Sequence, residues 1–485
     1  MHASVPDFVT RAATWTEAVA WWADQSEVAV ALEGTTWSGA ELVERAMGAA
    51  EHLNEIAPGK GAIPALFAAT PGAFAYLVGA PVAGRPIAPL GPRLTTAELA
   101  PSITTLGAEV LLTDEAFLPL ATELSALTGV RVEVVATPER SHQPMPRDLD
   151  PSSVAFVLHT SGTTGQPTPV PFSQARLAER VRVNARLFAM GPTKVFSSAS
   201  PVHHIAGFGS YAVALASGTA VVPLARFTPE AWVTLAEHHV THVVTVPTIL
   251  ELLLEAGVLD LPGLELLQYG ASPMHPSTLA RVMALLPDVD LLHLYGQTEG
   301  SPITVLSPED HRAIAASGRV ELLESVGRAV DVVELRLDEV DHEGIGEVVA
   351  RAAHFARPGP DGWLHTGDLG RLDDEGYLSL VGRKGDMIIR GGENVYPTEV
   401  EQVLETHPGV REAAVIGIKD LTWGETLRAV IVPSDPAAPP SLEALRDHLR
   451  AQLAGFKVPT EVAYLDVLPR NASGKLLRRA LRPPS

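Results

Sequence analysis

The chain has 485 residues, 46% of them apolar and 19% charged, and a formal net charge of −21 at pH 7. That length predicts two or three domains with ample core material, and the acidic balance excludes a nucleic-acid surface and docking on anionic lipid. Cysteine is absent, which excludes disulfides, thiolate metal sites and a thiol nucleophile, and fits a reducing compartment.

The first residues lack a basic segment leading into an apolar core. The uncharged stretches at 62–84 and 195–225 are broken by proline, glycine, serine and the His203-His204 pair. No signal peptide or membrane span is predicted, and the expected location is the cytoplasm. In chain order, 28–32 reads as a strand, and Ser38-Gly39-Ala40-Glu41 opens an amphipathic helix with a capping box. Apolar runs at 62–69 and 87–90 flank a small-residue helix at 73–80, a helix starts at 94–98, and 109–113 is a strand. The run 154–158 is a buried strand. Strands at 220–222, 242–246, 264–269 and 290–295 follow, with helices at 229–238 and 247–256 between them. This alternation predicts an α/β fold built on doubly wound parallel sheet. From 326 to 382 short strands dominate, at 332–337, 346–350 and 377–381. Beyond them lies a small α+β unit with strands at 413–418 and 428–432 and helices at 398–405 and 441–453. The boundary is expected at 382–386, giving domains 1–384 and 385–485.

Five clusters carry chemistry. The strand at 154–158 empties into Thr160-Ser161-Gly162-Thr163-Thr164-Gly165. Glycines let backbone N–H groups approach a ligand, and the hydroxyls suit phosphate oxygens. No lysine follows the last glycine, so an ordinary NTPase loop does not fit, and alone the run reads equally as a surface turn. Tyr295-Gly296-Gln297-Thr298-Glu299-Gly300 follows another strand end, where ligands of open α/β sheets bind; Glu299 suits a divalent cation. Asp368, closing Gly362-Trp363-Leu364-His365-Thr366-Gly367-Asp368, can accept ribose hydroxyls, although Gly-Asp is common turn chemistry. The 382–394 segment crosses the expected boundary, with Gly385 as the hinge. Near the C-terminus, Lys475 in Pro469-Arg470-Asn471-Ala472-Ser473-Gly474-Lys475 can meet a developing negative charge, or belong to a plain basic tail.

In order and spacing the five clusters resemble the adenylate-forming superfamily: acyl-CoA synthetases, carrier-protein adenylation domains and beetle luciferases. Pro201-Val202-His203-His204-Ile205-Ala206-Gly207-Phe208, Val415 to Gly424 and Phe456-Lys457 look most like aryl-CoA ligases of the benzoate and chlorobenzoate type. The resemblance implies a large N-terminal domain of doubly wound sheets plus a distorted β-barrel, and a small mobile α+β C-terminal domain. It implies a two-step reaction: a carboxylate and Mg-ATP give an acyl-AMP and pyrophosphate, then a thiol, usually that of CoA, takes the acyl group.

The resemblance also assigns residues. Thr160 to Gly165 would hold the β,γ-phosphates, with Thr163 and Glu299 positioning Mg²⁺. Gly270, Ala271, Ser272, Tyr295, Gly296 and Thr298 would border the nucleotide, and Asp368 and Arg383 the ribose. His204, Ile205, Thr248, Gly270, Gly296 and Ser301 would line the acyl pocket, with His204 as its gate and His203 as packing. Lys475 would bridge carboxylate and α-phosphate in the first step. Gly391 and Gly392 would line the thiol tunnel, and Trp423 and Lys457 would contact CoA. The implied partners are an aromatic or compact apolar acid, ATP and CoA, with an acyl carrier protein as an alternative acceptor, for a monomer or homodimer. Alternatives are an adenylating enzyme that loads a carrier protein or an amine, and a nucleotide-binding homologue with little catalysis. Three departures stand out. Pro167-Thr168-Pro169 lacks the usual loop lysine, residues 353–360 replace a longer segment, and Gly385 stands where Asp or Lys is usual. They suggest a specialised, biosynthetic enzyme.

Overall fold

A computed structural model describes residues 5–32, 34–161, 167–272, 274–390, 393–420, 422–470 and 476–482. The chain packs as two units, Met1–Glu334 with Arg351–Leu364, and Leu335–Ala350 with His365–Ser485. Among the described residues no helix is long and apolar enough to cross a membrane.

The first unit holds two sheets of the doubly wound kind. At the centre of a nine-stranded sheet, Val195–Ser198, His242–Thr245, Leu266–Gly270 and Asp290–Tyr295 run parallel as neighbours. These strands are almost wholly buried, as strands covered on both faces are. The antiparallel strand Thr304–Leu306 lies beside Asp290–Tyr295. In a six-stranded sheet, Ile87–Pro89 pairs in parallel with Val154–Ser161, which pairs antiparallel with Pro167–Ser173 on the edge. Pro167, Pro169 and Pro171 alternate along that edge strand, so their donorless nitrogens point outward while Thr168, Val170 and Phe172 face the ladder.

Buried Trp15 and Trp22 anchor the N-terminal helices. Their ring N–H groups donate to the Ala212 carbonyl at 2.9 Å and the Leu215 carbonyl at 2.8 Å. The expected capping box at Ser38 is half formed. Ser38 Oγ accepts from the Glu41 N–H at 3.2 Å. The Glu41 carboxylate turns to Arg45 at 2.9 Å and Arg140 at 2.5 Å, because two cations outcompete one backbone donor. A complete box lies at Thr95–Glu98, entering the helix Thr96–Leu106.

The second unit holds a four-stranded sheet whose neighbours, in order, are Glu334–Asp338, Gly346–Arg351, Leu364–Leu372 and Leu378–Arg383. A second sheet is built on the long hairpin Val410–Asp420 and Gly424–Pro433, with Glu461–Tyr464 parallel to the latter. The helices Pro397–Glu405 and Leu442–Arg450 bury Val400, Leu404, Leu445 and Leu449 against it.

Candidate active site

Four neighbouring parallel strands end side by side in the first unit, and the predicted acyl and nucleotide residues follow those ends. His203, His204 and Ile205 come after Val195–Ser198, Thr248 after His242–Thr245, Gly270 to Ser272 at the end of Leu266–Gly270, and Tyr295 to Ser301 after Asp290–Tyr295. The carboxyl edge of a parallel sheet is where loops diverge and leave a crevice. Two glycines there are fixed by crowding. A Cβ on Gly270 would lie 2.4 Å from the Leu294 oxygen, and one on Gly296 would lie 2.7 Å from Ser301 Cβ. Ala271 adopts φ 69°, a left-handed conformation costing about 1–3 kcal/mol for a residue with a Cβ, as functional loops often do.

The six-stranded sheet contributes to the same loops. Thr160, at the end of Val154–Ser161, donates its hydroxyl to Glu299 Oε1 at 3.3 Å. One hydrogen bond thus joins two motifs 139 residues apart. Glu299 offers hard carboxylate oxygens that fit Mg²⁺ completed by phosphate and water oxygens, with Thr160 holding the carboxylate in place. Among the described residues there is no group of three carboxylate or imidazole ligands, so the fit is to a site shared with phosphate. Thr168 lies opposite Thr160 across the hairpin, where the usual loop lysine is missing. Of the predicted phosphate residues, Gly162, Thr163, Thr164 and Gly165 lie outside the described residues, as do Gly391, Gly392 and Lys475.

His203 and His204 have ring centroids 4.2 Å apart. Burial pushes His204 down to about 4 and His203 well below the usual imidazole range, the latter helped by His204 and Arg93, so both rings are neutral at pH 7. His203 packs on the end of Ile87–Pro89, where a Cβ on Gly91 would come within 3.0 Å of its ring. That is the packing role expected of it. Thr248 is exposed in the first turn of the helix Pro247–Ala256, and Ile205 opens a short π-helical turn, Ile205–Gly209.

In the second unit Asp368 and Arg383 are cross-strand partners, and Arg383 Nε meets Asp368 Oδ1 at 2.8 Å. Gly367, at φ 68°, turns the chain just before the carboxylate, and the Asp368 N–H donates to Thr366 Oγ1 at 3.0 Å. The predicted ribose pair is therefore assembled as one element. A Cβ on Gly385 would touch nothing within 4 Å, so space does not require glycine there. Trp423 is half exposed, with the Arg390 guanidinium 5.9 Å from its ring. Lys457 is buried, and its Nζ lies 2.8 Å from Glu399. Its ammonium is already engaged.

Sequence reasoning missed Arg180 and His354. Arg180 interrupts the buried face of the helix Gln174–Leu187, among Leu177, Ala178, Val181 and Asn184. A cation in an apolar stripe was the available signal. His354 lies in the segment that replaces a longer one and is 1% exposed.

Comparison with known proteins agrees with this geometry. The AMP-binding enzyme family model matches residues 19–358, and the AMP-binding enzyme C-terminal domain model matches 399–475. The chain is 32% identical to the fatty acid–[acyl-carrier-protein] ligase ScoC of Streptomyces coeruleorubidus, over 84% of each chain. It is 33% identical to the indoleacetate–CoA ligase of Aromatoleum aromaticum, over 71% of this chain and 70% of that one. The solved amide bond synthetase McbA of Marinactinospora thermotolerans superposes with a TM-score of 0.85 at 30% identity, covering 96% of this chain and 98% of that one. The chain belongs to the AMP-binding, adenylate-forming enzyme family.

Proposed function

We propose that the chain activates a carboxylic acid with ATP as an acyl-adenylate and transfers the acyl group to the thiol of CoA, working with an aromatic or compact acid. The observation that carries the reading is the Thr160–Glu299 hydrogen bond, which joins the phosphate-loop strand to the acidic motif at the carboxyl edge of the sheet. When bound, Mg²⁺ supplies charge neutralisation at the phosphates, held by Glu299 and Thr163. Thr160 orients the Glu299 carboxylate by hydrogen bonding. Asp368 accepts ribose hydroxyls while Arg383 balances its charge. His204, neutral and partly buried, borders the acid as an uncharged wall that leaves the carboxylate as the only anionic end. Lys475 supplies the positive charge on the α-phosphate oxygens in the first step only. Domains 1–384 and 385–485 pivot at Gly385, after which Gly391 and Gly392 admit the thiol.

A different acceptor is favoured by one observation: Lys457, expected on CoA, is buried against Glu399. ScoC, named for an acyl-carrier-protein acceptor, and McbA, named for amide bonds, support a carrier protein or an amine in place of CoA. ATP–pyrophosphate exchange across a library of acids tests the first step. Product analysis with CoA, a holo-carrier protein and simple amines tests the second. Exchange with no acid overturns the proposal, and exchange without thioester on CoA leaves the carrier or amine reading.

A further inference from the structure

Arg180 is 6% exposed, and among the described residues no carboxylate pairs with it. Burial lowers its pKa only to about 10, so the guanidinium stays charged at pH 7. A buried cation without a counter-ion costs several kcal/mol, and a Leu or Met would fill the helix face more cheaply. Its Nη1 donates to the Ser301 carbonyl at 2.5 Å, just past Glu299.

The other side of the same loop is held as well. The Arg357 N–H donates to the Glu299 carbonyl at 3.1 Å, and His354 Nε2 lies 3.0 Å from the Pro302 carbonyl. A carbonyl only accepts, so His354 carries its proton on Nε2, and burial, with Arg180 nearby, keeps the ring neutral by lowering it to about 4. Arg176, one turn before Arg180, donates to the Phe355 carbonyl. Fully buried Phe355 packs on Gly300, where a Cβ would come within 2.9 Å of the ring. Among the described residues Arg180 Nε lacks a partner, and a cavity of about 10 Å³ lined by Arg180, Asn184 and Ser210 has room for about one water. The shortened segment and one face of the helix Gln174–Leu187 thus grip residues 299–302 through their backbone carbonyls.

We infer that Arg180, with His354, is a positioning residue for adenylate formation, holding the backbone that aims Glu299 at Thr160. This rests on the proposed role of Glu299, and the test separates the two. ATP–pyrophosphate exchange, the Mg²⁺ concentration giving half-maximal exchange, and the rise in melting temperature produced by Mg-ATP are measured for wild type, Arg180→Met, Arg180→Lys and His354→Phe. Arg180→Met is expected to lower exchange kcat by about 10- to 100-fold, because small misplacements of a reacting group are that costly. The half-maximal Mg²⁺ concentration should rise and the Mg-ATP melting shift should shrink, while the KM for the acid changes little. Arg180→Lys should recover part of each loss, because an ammonium still donates to the Ser301 carbonyl. A lowered melting temperature with wild-type Mg²⁺ dependence and wild-type Mg-ATP shift would make Arg180 merely structural and overturn the inference. Should Arg180→Met be insoluble, His354→Phe decides, since it removes one carbonyl clamp and should move the same readouts in the same direction. Wild-type protein that exchanges with no acid defeats the proposed reaction, whereas the Mg-ATP melting shift still reads the positioning.

Discussion

Glu299 and Asp368 are two motif carboxylates in contrasting company. Glu299 meets a hydroxyl, Thr160 at 3.3 Å, and among the described residues no cationic side chain pairs with it. Asp368 meets Arg383 at 2.8 Å across a strand pair, so its charge is largely compensated. The difference fits the two tasks proposed for them. An uncompensated carboxylate would attract a divalent cation, whereas one paired with a guanidinium would still accept hydroxyl hydrogens but draw a cation less strongly. Neutral partners leave charge to act at a distance, and ion pairs leave hydrogen-bond geometry.

The largest effect is expected from Lys475→Ala, which should cost about 3–4 kcal/mol in adenylation, the scale of a lost oxyanion donor, yet spare thioester formation from synthetic acyl-adenylate. Equal loss in both half-reactions would remove the lysine from the first step. Glu299→Gln keeps the hydrogen bond from Thr160 and deletes only the charge. Exchange should fall about 100-fold and recover in part at high Mg²⁺, as for a lost metal carboxylate. Asp368→Asn should act on binding instead, raising the KM for ATP about tenfold with little change in Mg²⁺ dependence, the scale of a hydrogen bond to a charged group. If the two substitutions behave alike, the division of labour is wrong.

Smaller effects test the acceptor end and the buried rings. Trp423→Ala should raise the KM for CoA by about threefold, the loss of one exposed aromatic contact. Lys457→Ala should lower the melting temperature instead, because it strips Glu399 of its partner. A rise in the KM for CoA with unchanged stability would return Lys457 to the CoA site. The folded-state pKa values of His204 and His354, each about 4, lie below the ordinary imidazole value of 6.5. Between those values the unfolded chain binds more protons, so stability is whole above pH 6.5 and is lost as pH falls toward 4. Melting temperature should decline over that window, and His204→Phe should shallow the decline. A flat profile would show that the rings are solvated.

Much of this was legible because it is local. Strand ends, the glycine-hydroxyl run and the 295–300 motif are written in consecutive residues, and period and composition are enough to find them. What stayed hidden depends on pairs far apart in sequence. No pattern ties Arg180 to Ser301, 121 residues away, or Lys457 to Glu399, 58 residues away. Ser38 is instructive at short range. Its helix start was readable, but Glu41 was drawn to Arg140 by a fold the local sequence does not describe. Gly385 was read as a hinge by place in the chain, and the open space around its Cα leaves that reading to experiment.

The alternating Pro167, Pro169 and Pro171 carry one more consequence. A slip of this strand by one residue against Val154–Ser161 would turn three donorless nitrogens into the ladder and forfeit their bonds. One-residue slips are therefore disfavoured, and Pro167–Ser173 keeps its observed pairing with Val154–Ser161. Outward, the same nitrogens deny an incoming strand its donors, so a neighbouring molecule cannot extend the sheet from this side. An alternation of one residue type keeps the strand in register and the edge closed to aggregation.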